Sequence, residues 1–219
     1  MKTIEVEDLD KVDTTTIEEI SSYIRQGKIA ILPTGTVYGI SCIYNNKIAL
    51  QKIYEIKKRQ KNLPFIILIS KLSDLDGLID KKSKSAIALI EIYWNRLNPL
   101  PLTLIFEKSK SLDLFITSGS NKIAIRRAEL KLLQSIIDIC GPIISTSANI
   151  SGQNISPKLV EEIPQEIRQE VDLIVSYSRP LSGIASTILD TTQKIPSLIR
   201  EGEVKYNEVL DYLKATKKI

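Results

Sequence analysis

The chain has 219 residues, 43% of them hydrophobic and 26% charged, and a formal net charge of +4 at pH 7. That is enough apolar material for one sizeable core and too much for a disordered chain, yet no run approaches the roughly 20 apolar residues of a membrane span. The absence of histidine excludes a Ser-His-Asp triad, a Cys-His pair and a His-based metal site, and two cysteines cannot make a zinc centre, so no protein-held metal is expected. Acid–base chemistry falls to carboxylates, lysine, water or the substrate, which makes binding and positioning of charged reactants the expected mode of action. The acidic N-terminus lacks a signal-peptide core, and Cys42 and Cys140 sit in apolar context. Both point to a cytoplasmic chain with reduced core thiols and no membrane partner.

In chain order, periodicity predicts a helix over 16–26, capped by Thr14 or Thr15, then strands over 29–32 and 37–43. A helix over 47–58 follows, capped by Asn45 or Asn46 and burying Ala49, Leu50, Ile53 and Ile56, and then a strand over 65–69. The helix expected over 82–94 carries Ala86, Ile90 and Tyr93 on one face that continues to Leu97. Strands are predicted over 102–106 and 122–126. The helix over 129–139 aligns Leu133, Ile136, Ile137 and Cys140. The remaining elements are a strand over 142–145, a helix over 157–163, strands over 172–175, 186–189 and 197–200, and a helix over 206–215. With no repeat and no linker, this reads as one α/β domain spanning 1–219, its core about 13–204. The sheet is mixed parallel and antiparallel with flanking helices, the closely spaced late strands being antiparallel.

The densest polar segment is Ser145-Thr-Ser-Ala-Asn-Ile-Ser-Gly152, where a short β-branched strand leaves the core. Ligands in open α/β sheets bind outside the carboxyl ends of strands, and small donors there suit a polyanion; a hydroxyl-rich turn satisfying its own backbone is the alternative. Pro33-Thr-Gly-Thr-Val-Tyr-Gly39 places Thr34 and Thr36 at another strand end. It matches neither G-x-G-x-x-G nor the P-loop pattern, so it reads as a strand end that offers hydroxyls with close backbone approach at Gly35 and Gly39, or as a plain strand–turn–strand connection. The basic run Lys57-Lys-Arg-Gln-Lys61 ends a helix, where cations also favour the macrodipole. Lys57 and Arg59 could bracket a polyphosphate as point charge and planar fork. Arg126 and Arg200 end apolar strands, so each needs an anionic partner, an internal salt bridge or a ligand.

These segments together, with Ile53-Tyr-Glu-Ile-Lys-Lys-Arg59, Pro101-Leu-Thr-Leu104, Ile123-Ala-Ile-Arg126, Ser186-Thr-Ile-Leu-Asp190 and Leu198-Ile-Arg200, resemble the YrdC/Sua5 family over about 16–202, in its short single-domain form. The resemblance implies a YrdC-like twisted mixed sheet with a concave positive cavity. Lys57 and Arg59 match the family's K-x-R, and Ser147 and Asn149 its S-x-N; with Ser145 and Arg200 they are expected at ATP, Lys57 and Arg59 as the catalytic pair. Thr34, Arg59, Arg126 and Ser186 are expected at threonine. The chain departs from the family pattern at Gly35, usually acidic, at Gln60, usually proline, at Leu97-Asn-Pro-Leu-Pro101 in place of W-P-G-P, at Ala185 and at Leu68.

By resemblance the expected reaction joins L-threonine, bicarbonate and ATP, with Mg2+ carried by the nucleotide, into threonylcarbamoyl-AMP and pyrophosphate, for the threonylcarbamoyladenosine modification at tRNA position 37. Transient contact with tRNA or with downstream tRNA-modifying proteins is expected. Three alternatives remain open: a non-catalytic tRNA or double-stranded-RNA binder of the same fold, a divergent paralogue with another acceptor, and a carbamoyl-transfer domain.

Overall fold

The structure, a computed structural model, describes residues 1–60, 64–153 and 156–219. In chain order the elements are β1 (Lys2–Val6), α1 (Thr14–Arg25), β2 (Ala30–Pro33), β3 (Tyr38–Ile43), α2 (Lys47–Ile56), β4 (Ile66–Ile69), α3 (Lys84–Leu89), β5 (Leu102–Glu107), β6 (Lys122–Arg127), α4 (Lys131–Cys140), β7 (Ile143–Ser147), α5 (Gln165–Arg168), β8 (Leu173–Tyr177), β9 (Thr187–Asp190), β10 (Ser197–Arg200) and α6 (Tyr206–Ala215). All ten strands join one sheet in the order β1-β8-β2-β3-β7-β4-β6-β5-β9-β10. The pairs β1/β8, β2/β8, β4/β6 and β5/β9 are parallel; the rest, including late β9/β10, are antiparallel.

Strand register sorts the two faces of this sheet. Cys42, Ile144, Ile67, Ile125, Leu104 and Leu189 are opposite one another in turn from β3 to β9, and all are fully buried. The helices α1 and α2 pack against β3, and α4 packs against β4. Residues one step along each strand point the other way. They form a row of Ser41, Ser145, Ile66, Ala124 and Ile105, and beside it a row of Ile143, Leu68, Arg126, Thr103, Ile188 and Arg200. Ile66, Ala124, Ile105 and Ile188 are only half-buried, so this second face is partly open, and its hydroxyls and cations alternate with the apolar core side along the same strands.

Local chemistry explains where elements begin and end, and corrects several expectations. The cap of α1 is Asp13, which accepts from the Thr16 amide at 2.9 Å, rather than Thr14 or Thr15. Asn46 caps α2 by accepting from the amides of Ile48 and Ala49. The apolar face of α3 continues through a π-helical turn, Ile90–Trp94, whose extra residue per turn ends the alignment: Leu97 is 89% exposed rather than core. Buried Trp94 donates its indole N–H to Leu102 O at 2.8 Å. The helix expected over 157–163 is only a 3-10 turn, Val160–Glu162, followed by α5; Pro157 and Pro164 bracket too short a run for a longer helix. Cys42 is buried, but Cys140 is partly exposed at the end of α4. β1 was not expected, because the alternating signal in its five residues is weak; pairing with β8 supplies its order. Among the described residues no helix is long and apolar enough to cross a membrane.

Candidate functional site

The first cluster gathers where α2 ends. Lys58 adopts a positive φ of 50°, which turns the chain out of the helix and separates Lys57 from Arg59. Lys57 is 1% exposed. Its ammonium donates to the backbone oxygens of Ser147 and Asn149, the latter at 2.6 Å, and to Asn149 Oδ1 at 3.2 Å. The Ser147 hydroxyl donates to Asn149 Oδ1 at 2.6 Å, Asn149 Nδ2 donates to Gln153 O, and the Ser151 amide donates to Lys57 O. Lys57 therefore ties the turn after β7 to the end of α2. Burial, then the Arg59 charge, push its ammonium down to about 7, while three oxygen acceptors favour the charged form. Arg59 is half-buried, with its guanidinium 5.4 Å from the Phe65 ring centre and a donor on Pro64 O at 3.1 Å. Burial lowers its pKa. Lys61, the end of the basic run, lies outside the described residues.

The second cluster surrounds the β2–β3 turn. The Thr34 hydroxyl donates to Val37 O at 2.6 Å, closing that turn, and lies 3.3 Å from the Thr36 hydroxyl. Arg126, 4% exposed, donates to Thr34 O at 2.8 Å and to Thr36 Oγ1 at 3.3 Å. Its Nε lies 3.3 Å from Glu129 Oε1. Arg200 is exposed and donates to Ser186 O through Nε and Nη2, and to Ser186 Oγ at 3.2 Å. Ser186 Oγ is also 2.8 Å from Thr103 Oγ1. Loss of solvation, then the Arg126 charge, hold Arg200 below the usual arginine value, so two cations converge here.

Ser145 links the clusters. Its hydroxyl accepts from Ser41 Oγ at 3.2 Å, and a Cβ added at Gly39 would lie 2.3 Å from Ser145 Oγ and 2.9 Å from Thr34 Cγ2. The bare backbone at Gly39 leaves the room that both side chains occupy beside β3. The sheet thus brings together Arg126, Ser145, Ser147 and Arg200 on its open face, with Thr34 and Ser186 beside Arg126 and Arg200, and Lys57, Arg59 and Asn149 around the loop after β7. Such an excess of positive charge and hydroxyl donors suits phosphates and carboxylates. Among the described residues no group of three or more His, Cys, Asp or Glu is placed to hold a metal ion.

Sequence reasoning missed two participants. Thr103 stood within the matching stretch Pro101–Leu104 but was given no role, and only the β5–β6 register sets it opposite Arg126. Glu129 read as the start of a helix but lies just before α4, with both carboxylate oxygens buried. Burial, opposed by Arg126 and aided by Glu203, pushes its carboxyl up to about 7.

Known proteins of one family resemble this chain. The Sua5/YciO/YrdC family, described as "Telomere recombination", matches residues 22–202. The threonylcarbamoyl-AMP synthase of Pyrococcus abyssi is 29% identical over 201 residues, covering 91% of this chain and 58% of that protein. The threonylcarbamoyl-AMP synthase of Bacillus subtilis is 30% identical over 208 residues, covering 94% of this chain and 59% of that protein. The crystal structure of P. abyssi Sua5 complexed with L-threonine superposes with a TM-score of 0.88 at 29% identity, covering all of this chain and 62% of that one. The chain thus spans about three fifths of the length of these curated relatives. With a family match over most of its length and the same mixed α/β sheet, the chain belongs to the Sua5/YciO/YrdC family.

Proposed function

We infer that this chain is an L-threonylcarbamoyladenylate synthase, a nucleotidyltransferase acting in the cytoplasm on L-threonine, bicarbonate and ATP, and that its product feeds the threonylcarbamoyladenosine modification at tRNA position 37. The observation that carries the reading is the sheet register, which gathers Arg126, Ser145, Ser147 and Arg200 on one open face beside the Lys57–Asn149 network. The similarity to threonylcarbamoyl-AMP synthases and to a threonine-bound Sua5 supports it.

In this reading, threonine amine and bicarbonate give a carbamate and water. A carbamate oxygen then attacks the α-phosphorus of ATP, a bond to the adenylyl group forms, and pyrophosphate leaves. The step needs two anions held in line and charge stabilised on the departing phosphates, and no imidazole. Arg59 and Arg200 supply charge to the phosphates, Ser145, Ser147 and Asn149 orient them, and Lys57 acts with Arg59 through the loop it holds. Thr34, Arg126 and Ser186, together with Arg59, receive threonine. Mg2+ enters as part of the nucleotide substrate, where it neutralises phosphate charge. We place these functions in one unit with a core of about 13–204, which hands its product to tRNA-modifying partners by transient contact.

The test is incubation of the purified chain with ATP, threonine and bicarbonate, with pyrophosphate and the adenylate measured by mass spectrometry. Threonine-dependent product is the expected result, and Arg59→Ala and Asn149→Ala lower turnover about 100-fold or more. Pyrophosphate release indifferent to threonine would indicate another acceptor. Salt-sensitive RNA binding without release would indicate a binding module.

A further inference from the structure

The open face is crowded with cations, yet one carboxylate, Glu129, has been built into it. Its side chain is 13% exposed and its two oxygens are buried. Neither oxygen accepts a hydrogen bond from another described residue, although Arg126 Nε stands 3.3 Å away and the residue's own amide draws the carboxyl down. A buried carboxylate this short of donors is costly, and such a group in a native structure calls for an explanation. Its seat is also specific. Gly35, at φ +81°, leaves open the space that Glu129 enters: a Cβ there would lie 3.2 Å from Glu129 Oε2. A site for anions alone gains nothing from a carboxylate, since it competes with the ligand for Arg126. A site for a molecule bearing both charges gains a second anchor.

We propose that the Arg126–Glu129 pair is an internal stand-in for an amino-acid zwitterion: on binding, the substrate carboxylate takes Arg126 and the substrate ammonium takes Glu129. This inference rests on the reading above that the substrate is an amino acid, and it adds the residue that recognises the amine. The exchange keeps both buried charges paired throughout, whereas a ligand with one charge leaves the other protein partner alone. An ammonium also brings three donors to oxygens this short of them. Once bound there, the ammonium lies beside a carboxylate that burial disposes toward its protonated form, so a carboxylate oxygen is within reach of the proton that the nitrogen gives up when the carbamate forms.

Calorimetry on the full chain tests this without turnover. The ligands are L-threonine, 2,3-dihydroxybutanoate, which lacks the ammonium, and 1-aminopropan-2-ol, which lacks the carboxylate. The unaltered chain binds threonine at least about 10-fold more tightly than either analogue. Glu129→Gln loses most of the preference over 2,3-dihydroxybutanoate and keeps the preference over 1-aminopropan-2-ol, while Glu129→Asp, which keeps the charge, retains part of the first. Equal weakening of all three ligands in both variants, or an unchanged preference, overturns the role of Glu129 and leaves the proposed function standing. No threonine binding by the unaltered chain overturns both.

Discussion

Lys57 and Asn149 are 92 positions apart, yet one ammonium donates to both the backbone oxygen and the side-chain oxygen of that asparagine, at 2.6 and 3.2 Å. The two family motifs that contain them are therefore one physical unit. With its donors on the loop after β7, Lys57 shapes the loop that presents Ser147, while Arg59, turned away by Lys58, lies over the Phe65 ring.

Lys57→Met tests this coupling. It removes the donor for two backbone oxygens and leaves them buried or poorly hydrated, at a cost of about 1–3 kcal/mol of stability, measured by urea unfolding. Nucleotide affinity falls about 10-fold or more, and Lys57→Arg does not restore it, because a planar fork cannot reproduce three convergent bonds. Full nucleotide affinity in Lys57→Met would show that the loop holds its shape unaided.

Gly202 and Gly39 make opposite predictions. A Cβ at Gly202 would lie 2.0 Å from Ala185 O and 2.7 Å from the Thr187 amide nitrogen, both backbone atoms, so Gly202→Ala must displace β10 from β9. Stability drops by about 1–3 kcal/mol or more, and thermal unfolding reports it. At Gly39 the clash is with the side chains of Ser145 and Thr34. Gly39→Ala loses ligand binding first, with a smaller change in melting temperature.

Ser186 joins Thr103 and Arg200, so Ser186→Ala leaves the fully buried Thr103 hydroxyl without that partner. The expected loss is about 1–3 kcal/mol. In the double variant with Thr103→Val the second substitution costs less than it does alone. Strict additivity in a double-mutant cycle would separate the two residues.

Stability against pH has a minimum near neutrality. Glu129, raised to about 7 from 4.5, keeps a proton in the folded chain that the unfolded chain has already released, so stability falls as pH rises from about 4.5 to 7. Its neighbours Arg126 and Glu203 act in opposite directions on it. Lys57, lowered to about 7 from 10.5 by burial and the Arg59 charge, sheds its proton in the folded chain before the unfolded chain does, so stability rises from about 7 to 10.5, by less than burial alone gives because the oxygens of Ser147 and Asn149 hold the ammonium. Urea midpoints across pH measure this: Glu129→Gln flattens the acidic side and Lys57→Met the basic side. Each unit of displacement is worth about 1.4 kcal/mol.

The order of strands and helices was legible because it is written in local periodicity. β-branched runs such as 29–32 and 122–126 and amphipathic runs such as 47–58 form wherever they meet a core, and β10 and α6 fall where the pattern sets them. The lack of histidine is likewise plain from the sequence alone, and it leaves these 219 residues without an imidazole. Strand pairing decided the rest, because register is a relation between distant segments that no window of sequence contains. Only that pairing set Thr103 opposite Arg126, closed Lys57 onto Asn149, and brought Glu129 into the space beside Gly35. The charge of each side chain was given by the sequence; the partner that gives that charge a use was given by the fold.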